Sequence, residues 1–222
     1  MRRPEEGGGL RGGLAFSYRL VRPGDADGSV LVALHGSGVD ETTLLPFAAG
    51  VAPRATLLAP RGRVPQDGGW RWFERITPTR FGQRSIREEV AAFAGFVARA
   101  AALHGLDLGR AAFLGYSNGA NVVSSLMFMH PGIVRRAALL RAMPVLDEVP
   151  PADLSGTRVL VLKGAADATY SPYAPALVRL LRAHGARVTP RTVAAGHEFG
   201  EEDARILRRW LASDRGLDRN LD

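Results

Sequence analysis

Ser117 stands in Gly115-Tyr116-Ser117-Asn118-Gly119, a G-x-S-x-G arrangement that puts a glycine two residues to either side of a hydroxyl nucleophile. A serine hydroxyl attacks a carbonyl only when a base takes its proton, and the base needs an acid to orient it. The glycines matter because a serine displayed on a sharp strand-to-helix turn leaves little room for neighbouring side chains. Residues 111–115 are a short apolar run and 120–129 a helix-compatible one, so the chain supplies that setting. A helix starting there also favours negative charge developing on a nearby oxygen.

Three histidines follow Ser117. His130 ends the helix-compatible run just before Pro131, and His184 continues an apolar stripe at another helix end. Both positions suit a dipole contact better than catalysis. His197, in Ala195-Gly196-His197-Glu198, comes directly after the last apolar run, where a loop can hold its imidazole over a sheet edge. It is the expected base. Asp167, in Gly164-Ala165-Ala166-Asp167, follows the preceding strand on the same edge and is the expected acid. Asp147 and Asp153 lie in a Pro-rich connection, and Asp203 belongs to the first turn of the final helix. The tetrahedral oxygen needs two backbone N–H donors. Asn118, next to the nucleophile, is one candidate, and Ser37 in Leu34-His35-Gly36-Ser37-Gly38 is the other. His35 is read as ordering that loop.

These positions require a sheet whose strands end on one edge. Apolar runs at 14–21, 30–34, 56–59, 111–115, 137–141, 158–163 and 188–194 read as strands, the middle ones continuous as for parallel strands covered on both faces. Helical patterns lie between them. Ser85-Ile86-Arg87-Glu88 has the form of a capping box, Ser171-Pro172 the form of a helix start, and a last helix begins near Glu201. Alternation of this kind predicts a mostly parallel sheet with helices on both faces. Residues 1–13, rich in glycine, are expected to form a disordered tail, and 14–222 a single domain without a separate cap.

The connection 61–84 shows no period and holds Trp70, Trp72 and Phe73. Long connections of this type are usually lids or binding loops, so these aromatics, with Met143 and Tyr170, are the expected walls of a substrate pocket.

Composition removes other classes. The net charge of +7 is carried almost entirely by arginines scattered along the chain, without the cluster a nucleic-acid face needs. The chain has no cysteine, which rules out disulfides and a thiolate nucleophile. No apolar run approaches the ~20 residues of a membrane span, and a cytoplasmic protein is the default reading.

With LHGSG, GYSNGAN, GAAD and GHE in register, the chain resembles the bacterial carboxylesterase/phospholipase family of α/β-hydrolases, most closely its quinone-stress-linked branch. The resemblance spans about 30–211. It implies an α/β-hydrolase fold, with Ser117 as nucleophile, Asp167 as acid, His197 as base, and Ser37 with Asn118 as oxyanion donors. The expected function is that of a serine esterase acting on a small, uncharged ester through an acyl-enzyme, without metal or cofactor; a homodimer is compatible with it. A lysophospholipase or acyl-thioesterase is the alternative within enzymes, and a non-catalytic binding module on the same fold is the alternative outside them.

Overall fold

The computed structural model describes residues 8–66 and 68–213. Strands in chain order are β1 (Tyr18–Val21), β2 (Val30–Leu34), β3 (Thr56–Pro60), β4 (Val64–Gln66), β5 (Gly69–Arg71), β6 (Arg75–Thr77), β7 (Arg80–Phe81), β8 (Ala111–Tyr116), β9 (Arg136–Leu140), β10 (Arg158–Gly164) and β11 (Arg187–Val193). The α-helices are α1 (Leu45–Val51), α2 (Gln83–His104), α3 (Asn118–Met129), α4 (Ala174–Ala183) and α5 (Glu201–Ala212). Seven strands form one sheet in the order β1-β3-β2-β8-β9-β10-β11, with all neighbours parallel except β1 against β3.

Strand alternation divides the core into two layers. Val30, Val32 and Leu34 of β2 join Phe113 of β8 and Val159 of β10 beneath α2, α3 and α4. Leu31 and Ala33 join Leu114 and Leu160 beneath α1 and α5. Both faces of the central strands are therefore apolar, which is why their sequences run without a polar alternate. Every strand that carries a site residue opens at the same carboxyl edge, where parallel α/β sheets place ligands.

Several expectations need correction. The first strand is shorter than 14–21, because residues 13–16 form a bend ahead of Tyr18. Helix α2 begins at Gln83 with Gly82 as its cap, and the Ser85 hydroxyl instead accepts a bond from the Glu74 N–H. Within 1–13, expected as a disordered tail, residues 1–7 lie outside the described residues. Arg11, however, exchanges two backbone hydrogen bonds with Tyr18, which holds that part of the segment against β1. The connection 61–84 is not irregular either. It folds into two hairpins, β4–β5 and β6–β7, whose strands of two or three residues are too short to show a period.

Candidate active site

Ser117 occupies the turn between β8 and α3 with φ +52°, a left-handed conformation that costs a non-glycine residue free energy. The turn is held by its neighbours. The Ser117 N–H donates to the Leu140 carbonyl at 2.8 Å, and its own carbonyl accepts the Asn121 N–H at 3.0 Å. The flanking glycines are steric necessities: a Cβ at Gly115 would lie 2.5 Å from Ala120 Cα, and one at Gly119 would lie 2.2 Å from the Leu34 carbonyl oxygen.

The structure brings Ser117, His197 and Asp167 together. Ser117 Oγ is 3.0 Å from His197 Nε2, and His197 Nδ1 is 2.8 Å from Asp167 Oδ2. The other oxygen of Asp167 accepts the N–H groups of Thr169 at 3.2 Å and Tyr170 at 3.0 Å. Burial alone would raise the Asp167 carboxyl, but the His197 bond and these N–H groups outweigh it and leave the pKa below the ordinary carboxylate value. Asp167 is thus ionised at neutral pH, and a carboxylate facing Nδ1 fixes the tautomer that leaves Nε2 free to accept a proton. Tyr170 and Tyr116 flank the imidazole with ring centroids at 4.8 and 5.4 Å, and the Tyr116 hydroxyl donates to the His197 carbonyl at 3.2 Å.

Two backbone N–H donors lie in the loops at this sheet edge. Neither the Ser37 N–H after β2 nor the Asn118 N–H at the start of α3 has a hydrogen-bond acceptor among the described residues. His35 organises the first loop from within. It is 1% exposed, its Nε2 accepts the Gly62 N–H at 2.9 Å, and Nδ1 lies 2.6 Å from the Gly36 carbonyl. That pattern requires the neutral Nδ1–H tautomer, and burial accordingly pushes its pKa down. His130 and His184 lie at the ends of α3 and α4, and His184 Nδ1 lies 2.9 Å from the Leu180 carbonyl.

The expected pocket walls separate into two groups. Trp72 and Phe73 have no exposed surface, so they are not available to touch a substrate. Trp72 packs among Phe16, Phe93 and His35; its indole N–H donates to the His35 carbonyl and its backbone N–H to Asn118 Oδ1, at 2.9 and 2.8 Å. Aromatic residues in a connection can be wall or anchor, and here the hydrogen-bonded depth beneath the hairpin makes Trp72 an anchor. Met143 is also buried, its N–H bound to Asn121 Oδ1 at 3.0 Å. Trp70 and Tyr170 are half-buried. Trp70 pairs its backbone with Gly38 and Val39, and the Tyr170 hydroxyl donates to the Pro78 carbonyl of the β6–β7 hairpin at 3.0 Å.

Sequence reading missed the support beneath His197. Arg141, also at positive φ (+54°), has a fully buried side chain. Its guanidinium donates to the Gly196 carbonyl at 3.0 Å, to the Glu198 carbonyl at 2.6 Å, and to both oxygens of Asp203 at 2.7 and 3.0 Å. Asp203 in turn accepts the Gly200 N–H at 3.0 Å. Asp203 was legible as a first-turn acid, but nothing marked Arg141 among so many surface arginines.

A strained serine between a parallel strand and a helix, with a histidine and a carboxylate on later strand ends, belongs to the α/β-hydrolase class. No protein-family model matches the chain. It is 31% identical over 192 residues to the Bacillus subtilis (strain 168) protein named hydrolase MhqD, covering 86% of this chain and 96% of the relative. A crystal structure of a carboxylesterase from Mesorhizobium loti is 61% identical, with a TM-score of 0.92 over 93% of this chain and 99% of that one. The Bacillus cereus carboxylesterase is 28% identical, with a TM-score of 0.85 over 89% and 94%. The chain belongs to this bacterial carboxylesterase family and is a carboxylic ester hydrolase. Among the described residues no helix is long and apolar enough to cross a membrane.

Proposed function

We propose that the chain hydrolyses small carboxylic esters through an acyl-enzyme formed on Ser117. His197 Nε2 takes the hydroxyl proton as Oγ attacks the ester carbonyl, while Asp167 holds the imidazole and stabilises the imidazolium. The tetrahedral oxyanion is received by the N–H groups of Ser37 and Asn118, at the positive end of α3. His197 then returns the proton to the departing alcohol. A water molecule, activated by the same nitrogen, releases the acid and restores the serine.

One observation carries this reading: the continuous hydrogen-bonded chain from Ser117 Oγ through His197 to Asp167, with a strained serine at its head. Small substrates are favoured because the connection 141–157 between β9 and β10 contains neither helix nor strand from which a cap could be built. The test is labelling with a fluorophosphonate, located by peptide mapping, beside an acyl-length series of model esters. Labelling of Ser117 with rates that fall beyond short acyl chains is expected. An unlabelled Ser117 would overturn the mechanism. Rates rising toward long acyl chains would replace the small-ester reading with a lysophospholipase or thioesterase.

A further inference from the structure

The mechanism leaves Arg71 without a role. It ends β5, between Trp70, whose backbone pairs with Gly38 and Val39, and Trp72, whose N–H reaches Asn118. The Arg71 guanidinium carbon stands 5.8 Å from the centre of the Phe81 ring and within electrostatic reach of the Tyr170 phenol. Tyr170 is the residue whose ring lies 4.8 Å from that of His197. Arg71 and His197 are therefore both neighbours of Tyr170.

Its surroundings do not neutralise it. Arg71 is 4% exposed, its Nε is buried without a hydrogen-bond partner, and its guanidinium makes no hydrogen bond or ion pair with any described residue. The charged side chain facing it is Arg75, a second cation. Burial first, and then Arg75, lower its pKa to about 10, which still leaves it charged at neutral pH. Arg141, the other buried arginine among the described residues, shows what this fold does with a cation it must satisfy itself: it supplies Asp203 and two carbonyls. A buried ion needs compensation, and a ring near the ~6 Å limit of cation–π attraction does not replace an anion.

We propose that Arg71 binds a carboxylate carried by the substrate, so that the preferred esters are small carboxylate-bearing ones and not the uncharged esters expected from sequence. This rests on the Ser117 mechanism proposed above. Arginine is suited to the role, since its planar fork matches a carboxylate in two parallel hydrogen bonds. The carboxylate can belong to the acid or to the alcohol half of the ester, and matched substrates separate the two sources.

The experiment measures acid release at constant pH from two pairs of esters. Monomethyl glutarate carries its carboxylate on the acyl side, with methyl pentanoate as its neutral partner. Acetylglycolate carries it on the alcohol side, with propyl acetate as partner. In the wild-type protein at least one anionic ester should exceed its neutral partner in kcat/KM by about tenfold or more, the scale of a buried charge-assisted contact. Arg71→Gln should lower kcat/KM on that ester at least tenfold more than on its partner, and Arg71→Lys should restore part of the difference. A third measurement needs only the wild-type protein: free glutarate should inhibit methyl pentanoate hydrolysis competitively, and glutaramide should not. The proposal is overturned by equal kcat/KM within both pairs, by equal losses on both members of a pair in Arg71→Gln, or by equal inhibition from glutarate and glutaramide. If instead none of the four esters is hydrolysed and a fluorophosphonate fails to label Ser117, the esterase mechanism itself falls and takes this inference with it.

Discussion

Replacing Asp203 by Asn tests whether His197, the proposed base, is held in place by the buried ion pair beneath its loop. The substitution keeps the shape of the side chain and removes its charge. Arg141, whose side chain is fully buried, would then face one amide oxygen and one N–H group, a donor set against donors. Breaking a buried pair by neutralising one partner costs about 3–5 kcal/mol. For a domain of this size each kcal/mol shifts Tm by about 2–4 °C, so melting should fall by roughly 6–20 °C. Activity should fall for a separate reason. The same guanidinium grips the carbonyls of Gly196 and Glu198, on either side of His197, at 3.0 and 2.6 Å. Loosening that grip moves Nε2 away from its 3.0 Å contact with Ser117 Oγ, and a displacement of about 1 Å can cost up to ~100-fold in rate. The double variant Arg141→Met with Asp203→Leu separates these effects. Removing both charges should recover much of the lost stability, while kcat stays low because the two carbonyls still lack their donor. Thermal unfolding by circular dichroism and kcat on a neutral short-chain ester are the measurements. Asp203→Asn melting within about 3 °C of the wild type at unchanged kcat would show that the pair neither stabilises the fold nor positions the imidazole.

Three further outcomes are expected. Ser117→Ala should lower kcat on a model ester by about 10⁴-fold or more with little change in Tm, since members of such a site fail as a unit; a mutant retaining a tenth of the activity would remove Ser117 from the mechanism. Trp72→Ala should cost about 3–5 kcal/mol by chemical denaturation, because it empties a fully buried site beside Phe16 and Phe93; a loss below ~1 kcal/mol at raised KM would return Trp72 to the pocket wall. Finally, burial keeps His35 neutral, with its pKa below the ordinary 6.5, so the unfolded chain binds that proton at a higher pH than the folded one. Stability should hold above pH ~6.5 and decline below it by up to about 1.4 kcal/mol per pH unit, and urea titrations between pH 7.5 and 5.5 should show a shallower decline in His35→Gln.

What was legible in the sequence was whatever sterics and chain order impose. The glycines around Ser117 are forced by backbone packed within 3 Å, and such contacts leave a pattern in the letters. The strands that end near the site are continuous apolar runs because both of their faces are covered. The two hairpins of 61–84 were not legible. Strands of two or three residues cannot show a period, and the same tryptophan suits a lid or a core. The buried arginines were hidden differently. Twenty-nine Lys and Arg residues lie along the chain, so neither Arg71 nor Arg141 differs in type or spacing from its solvated neighbours. Only position in three dimensions distinguishes them.

The tryptophan misassigned as a wall explains why the connection is needed. The Ser37 N–H lies in a loop after β2, and the Asn118 N–H lies at the start of α3, on a different strand-helix unit. Nothing local in sequence fixes their separation. Trp72 spans the gap: its indole N–H holds the carbonyl of His35 in the first loop, and its backbone N–H holds the Asn118 side chain in the second. His35 returns the contact by accepting the Gly62 N–H at the start of the connection. Trp70 adds backbone pairing with Gly38 and Val39. A pair of donors awaiting an oxyanion is effective only if their geometry is set before the charge forms. Under the proposed mechanism the connection sets it from beneath, as a clamp between two loops.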